Sequence, residues 1–168
     1  GYSDMAIGLG RMFGFRLPVN FNSPYQATSI IDFWRRWHMT LSSFFRDYVY
    51  IPLGGNRRGL AMQAGFVLVV FFLTGLWHGA GWTFVVFGLI HGLALAVNHG
   101  WREARLTALP PAAGWLLTMA VVIAGLVFFR APDVPTALGL LASMAGLGTP
   151  DVLHAATSPL GAGLGQIA

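Results

Sequence analysis

Between Arg58 and Arg102 the chain carries no Asp, Glu, Lys or Arg for 43 residues, and this charge-free run decides the solvent in which it can fold. At the helical rise the run measures roughly 64 Å, enough to cross a hydrocarbon core of about 30 Å twice. A further 18 residues from Ala112 to Phe129 are uncharged and end at Arg130, which predicts a third crossing. With 55% hydrophobic and 10% charged residues, too little polar surface remains to coat a water-soluble globule. The expected fold class is all-α: a polytopic membrane helical domain whose first partner is the lipid bilayer.

A pI of about 10.4 would suit a nucleic-acid binder, but all ten basic residues are Arg and they flank the apolar runs. Orientation explains them better, and no nucleic-acid partner is expected. Arg46, Arg57 and Arg58 precede the first crossing while Arg102 and Arg105 follow the second, so both outer ends of a hairpin are expected on the cytoplasmic side. The absence of Cys removes disulfides, thiolate metal ligands and a cysteine acyl-enzyme route. The chain opens at Gly1 in a stretch that already reads as helix, without an initiator Met, and is expected to be an N-terminally truncated piece.

Residues 1–16 read as the end of a membrane helix reaching the interface at Arg11 and Arg16. Pro18, Asn20, Asn22 and Pro24 mark a loop, and Ser29 three residues before Asp32 forms a capping box that opens the next helix. From Ile30 to about Tyr50 a helical period places Trp34, Trp37, His38, Leu41, Phe44, Phe45 and Tyr48 within a stripe of roughly 120°, with Arg35, Arg36 and Arg46 outside it. That spacing predicts one continuous helix with an inward aromatic face. Asp32 is expected to pair with Arg35 or Arg36 on its surface. Pro52, Gly54 and Gly55 end it.

The two crossings of the hairpin are predicted at 61–76 and from Trp82 to about Val97, with Asn98, His99 and Trp101 as an interfacial anchor beyond the second. The first is short, so GLWHGAGW should begin within the membrane. Residues 136–147 suggest a short interfacial helix, and the Gly-rich end has no periodicity.

An ionisable group beside apolar spans is costly unless it faces an interior cavity, which singles out His78. Gly75, Gly79 and Gly81 around it allow close approach of backbone or substrate. A structural imidazole bonding a neighbouring carbonyl fits the spacing equally well. A neutral imidazole can take the proton of a hydroxyl, which acylation of an alcohol requires. No carboxylate lies within 59–101 to orient it. His91, inside the second crossing, reads as an interhelical hydrogen-bonding residue, and His99 and His154 read as interfacial or exposed. No two His lie at i, i+3 or i, i+4, so no metal site is expected. Gly-rich phosphate loops and nucleophile elbows are missing too.

Three blocks in order, GYSDMAIGLGRMFGF, DFWRRWHMTLSSFFRDYVYIPLGGNRRG and LTGLWHGAGWTFVVFGLIHG, resemble the membrane-bound O-acyltransferases. The resemblance is closest to the bacterial alginate O-acetyltransferase branch, with the teichoic-acid D-alanylation protein as a relative. It implies that residues 1–150 are the C-terminal part of such a membrane domain and leaves 151–168 an unassigned tail. It further implies that His78 is the catalytic base and that His38, forty residues upstream, holds the second active-site position, where many eukaryotic members have Asn. Trp37, Trp77, Arg46, Asp47 and Asn56 are expected to bind substrate.

The activity implied is acetyl transfer from a cytoplasmic thioester to an extracytoplasmic, alginate-like polysaccharide, or to a periplasmic protein that relays it. Acetyl-CoA or another acyl thioester is the implied donor, with no tightly bound cofactor. Periplasmic acetyltransferases are the implied partners, and a bacterial inner membrane the implied location. Acyl transfer of D-alanine to a cell-wall polymer is the nearest alternative. A His-lined membrane transporter is the rival from another class.

Overall fold

The computed structural model describes residues 1–147, and among them every regular element is helical. The first helix, α1 (Tyr2–Met12), buries none of its residues and stops before Gly14, which takes a left-handed φ of 81°. After a single turn at Pro24–Gln26, Ser29 opens α2 (Ile30–Arg36). The Asp32 amide donates to Ser29 Oγ at 3.1 Å, and Arg36 pairs with Asp32 at 2.9 Å one turn later.

The single helix predicted from Ile30 to Tyr50 is broken. Trp37 is extended and His38 is left-handed at φ 42° and ψ 56°, so α3 (Met39–Phe45) starts afresh. It runs on through a wide turn at Arg46–Tyr50 into α4 (Ile51–Leu53). The reason for the break lies outside the segment. The Asn22 amide donates to the Arg36 carbonyl at 2.9 Å, and the Met39 amide donates to the Asn20 carbonyl at 3.0 Å. Asn20 Oδ1 accepts from both the amide and the hydroxyl of Thr40, at 3.0 and 2.8 Å. These bonds replace the helical ones that the break gives up. The predicted aromatic stripe therefore splits: Phe45 is buried, whereas Phe44 and Tyr48 are 53% and 72% exposed.

Among the described residues three helices are long and apolar enough to cross a membrane: α5 (Leu60–His78), α6 (Trp82–Glu103) and α7 (Pro111–Arg130). The first exceeds its predicted length, because nothing before Gly79 stops it, and Trp77 and His78 are helical. Likewise α6 carries Asn98, His99 and Trp101 in its last turns, where the sequence suggested an anchor beyond the helix end. A short α8 (Val134–Met144) follows, capped by Asp133, whose Oδ1 accepts from the Thr136 amide at 2.8 Å.

Glycine sets how these helices meet. A side chain on Gly75 would run into the Phe84 carbonyl, and one on Gly88 into that of Phe71, so α5 and α6 touch backbone to backbone. Gly88 and Gly92 give α6 the small-xxx-small spacing that permits this approach in lipid, where packing replaces the hydrophobic effect as the main attraction. Two hydroxyls in the spans are satisfied internally: Thr74 donates to the Val70 carbonyl at 2.9 Å and Thr118 to that of Gly114 at 2.7 Å.

The short α2 fits among these long helices. Ile30, Ile31 and Phe33 pack with Val67 and Phe71 of α5, Leu95 of α6, and Met119 and Val122 of α7. A second cluster of Phe87, Phe128 and Ala137 seats α8. Consequently the C-terminal end of α2 is delivered to the place where α5 ends and α6 begins.

Candidate functional site

At that junction lies a cavity of about 110 Å³, large enough for several waters or the few atoms of a reacting ester. Its wall includes His38, His78 and His91 together with Trp34, Trp37 and Phe129. Among the described residues no carboxylate lines it. Thus two residues forty positions apart in sequence, each singled out by the sequence, share one small chamber.

His78 is the last residue of α5 and is half-buried. Aromatic rings enclose it: Trp77 at 4.8 Å, Phe129 at 4.9 Å and Phe87 at 5.8 Å between centroids. His38 reaches the same chamber because of its left-handed backbone, which turns the chain between α2 and α3. Its ring stands 6.0 Å from Trp77, which thus neighbours both imidazoles from outside the chamber lining, and 5.9 Å from Phe21. The Nδ1 atom of His38 is buried and has no hydrogen-bond partner among the described residues. Such a group costs stability, and sites where that cost persists tend to be functional.

His91 is the most enclosed large side chain among the described residues, at 2% exposure. Its Nδ1 accepts a hydrogen bond from Trp34 Nε1 at 3.3 Å, the interhelical role the sequence suggests. An indole only donates, so this bond places the imidazole proton on Nε2 and fixes a neutral ring. That His91 also lines the chamber was not part of the sequence reading. The signal was present nonetheless, since an ionisable side chain inside a span is what marks His78 as well.

The remaining candidates are distributed differently. Trp37 lines the chamber, stacked on Phe33 with centroids 5.5 Å apart. Arg46 and Asp47 pair with each other through two hydrogen bonds of 2.8 and 3.2 Å. The bond from Arg46 holds the Asp47 carboxyl below the usual carboxylate range. Both are exposed. Arg46 borders a second, larger groove of about 540 Å³ between the α2–α3 segment and the α5–α6 pair. Arg35 and His99 border this groove too, while its walls include Val67, Val70 and Leu95. Asn56 sits exposed in the turn before α5 and borders neither space. The structure therefore does not bring Arg46, Asp47 or Asn56 to the histidine chamber. His154 and the tail 151–168 lie outside the described residues.

Chemically, the chamber offers a neutral imidazole able to accept a proton, a second imidazole nearby, and indole and imidazole N–H groups able to meet a developing negative charge.

Comparison with known proteins identifies the family. The model of the MBOAT, membrane-bound O-acyltransferase family, matches residues 1–134. A peptidoglycan O-acetyltransferase of Helicobacter pylori is 48% identical over 158 residues, covering 92% of this chain and 30% of the relative. A probable alginate O-acetylase of Azotobacter vinelandii is 46% identical over 151 residues, 88% of this chain and 30% of the relative. A teichoic acid D-alanyltransferase of Streptococcus thermophilus is 32% identical over 115 residues, 64% and 28%. The chain thus spans under a third of the length of these relatives.

Proposed function

This chain belongs to the membrane-bound O-acyltransferase family, and on that premise we propose that it forms the histidine-bearing part of an enzyme acetylating an extracytoplasmic polysaccharide. The observation that carries the reading is the convergence of His38 and His78 on one small chamber that no carboxylate of the described residues lines. In the proposed reaction the acceptor hydroxyl oxygen attacks the thioester carbonyl as His78 takes its proton. The C–S bond then breaks and the thiolate leaves, collecting that proton. His38 and the nearby N–H donors hold the acceptor and the developing oxyanion.

The donor is acetyl-CoA or another acyl thioester arriving from the cytoplasm. The 540 Å³ groove suits its approach, since apolar walls accept an acyl-bearing arm and exposed Arg35 and Arg46 on the border attract phosphate. The acceptor is the polysaccharide itself, alginate-like or peptidoglycan, or a periplasmic protein that relays the acetyl group to it. Periplasmic acetyltransferases are the partners, and a bacterial inner membrane is the location. Acetyl is favoured over D-alanyl as the group moved, because relatives named for acetylation are 42–48% identical and those named for D-alanylation 32%.

The test uses membranes containing the full-length protein and its partners, supplied with acetyl-labelled acetyl-CoA. Label appearing in polysaccharide, or in a periplasmic protein, supports the reading. Label crossing the membrane without a new ester would support a His-lined transporter instead.

A further inference from the structure

We propose that Trp34 is a movable partition between the 540 Å³ groove and the histidine chamber, and that His91 is the latch that holds it closed. The proposal rests on the acyl-transfer reading above and assigns positioning roles to two residues that reading leaves without one.

Trp34 lines both spaces. It thus borders both the groove assigned to the donor and the chamber holding His78. Edge-on packing to Phe71, with centroids 4.8 Å apart, supports it on one side, and Phe33 does so at 5.8 Å on another. One hydrogen bond fixes its rotation, from Nε1 to His91 Nδ1 at 3.3 Å. That length is at the weak end for an N–H donor.

The latch itself is held firmly. His91 is wedged between Phe87, at 4.9 Å, and α7, where a Cβ on Gly125 would come within 2.5 Å of its Nε2. Only glycine leaves this seat free. Trp34 by contrast rides on the seven-residue α2, whose next turn is the left-handed break at His38. The break at His38 is an element end of the kind that can act as a hinge, one turn from Trp34, while the core side of α2 stays anchored through Ile30, Ile31 and Phe33.

A partition matters because His78 does not distinguish hydroxyls. If a thioester reaches it before the acceptor, water takes the acceptor's place. Its oxygen attacks the carbonyl carbon, His78 takes the proton, and the C–S bond breaks. The products are acetic acid and free thiol. A closed Trp34 keeps the thioester from His78 until the acceptor is in place.

The experiment measures two products in membranes holding the full-length protein and its partners with acetyl-CoA: free acetate and acetylated acceptor. Trp34→Phe keeps most of the ring and loses the N–H, while His91→Leu loses the acceptor nitrogen. A hydrogen bond of ordinary net strength shifts an equilibrium about two- to tenfold. The ratio of hydrolysis to transfer should rise by that factor in each variant and no further in the double variant. His91→Asn, which keeps an acceptor oxygen, should return the ratio toward that of the unchanged protein. An unchanged ratio in Trp34→Phe and His91→Leu would overturn the partition while leaving the acyl-transfer reading intact. Loss of all three single variants from the membrane would also overturn it, since the pair would then serve folding alone. No turnover of acetyl-CoA by the unchanged protein would remove the reading beneath the proposal and the proposal with it.

Discussion

Replacing His38 by glycine, asparagine and alanine separates what its backbone does from what its imidazole does. At φ 42° and ψ 56° the residue is close to the ideal left-handed conformation. A residue with a Cβ gives up roughly 1–2 kcal/mol there, which glycine does not. Glycine is more flexible when unfolded, and that offsets roughly 0.5–1 kcal/mol of the gain. The expected net is His38→Gly more stable than His38→Ala by about 0.5–1 kcal/mol. His38→Asn should resemble glycine, since asparagine tolerates the left-handed region. Activity should follow a different order. Asparagine can still donate and accept hydrogen bonds, so it should retain more acetylation than glycine or alanine. The assay is thermal unfolding of the full-length protein in detergent, paired with polysaccharide acetylation in cells. If alanine were as stable as glycine, the break between α2 and α3 would not be left-handed, and the route by which His38 enters the chamber would be refuted.

Further expectations concern the scaffold. Gly88→Ala should destabilise by about 1–3 kcal/mol by overpacking against the Phe71 carbonyl, whereas Gly8→Ala, with open space around it, should not; unfolding midpoints compare the two. Ser29→Ala should cost about 1 kcal/mol by removing the cap of α2. Its acetylation should fall more than its abundance, because α2 carries Trp34 and leads into His38. A single Cys placed at Arg57 or Arg105 should react with an impermeant thiol reagent only from the cytoplasmic side. Labelling from the periplasmic side would reverse the hairpin.

Much of the scaffold was legible because its causes are local. The charge-free run and the flanking Arg residues locate α5 and α6, and Ser29 with Asp32 marks the start of α2. The break at His38 was not legible. Neither Gly nor Pro marks it, and the aromatic period runs unchanged through a single left-handed residue. What stabilises it is Asn20 and Asn22, which meet Arg36, Met39 and Thr40 from an earlier loop. A window of 20 residues cannot show such a contact. The pairing of His38 with His78 followed from a family resemblance and from the lack of a carboxylate near His78. The place of His91 beside them depends on how α6 rotates against α5 and α7, set by contacts at Gly75, Gly88 and Gly125 that the helical period does not encode. The placement of Asn56 and Asp47 away from the chamber has the same character: both lie beyond a turn whose path the sequence leaves open.

The most direct measurement is acetylation by the full-length protein carrying His78→Ala, at matched membrane abundance. General base catalysis is typically worth about 10²–10⁴ in rate. A loss of that size is expected with the protein still seated in the membrane, because among the described residues no carboxylate lines the chamber to replace the imidazole. Near-normal acetylation would contradict it, since the proton of the acceptor hydroxyl would then be leaving by some route other than His78.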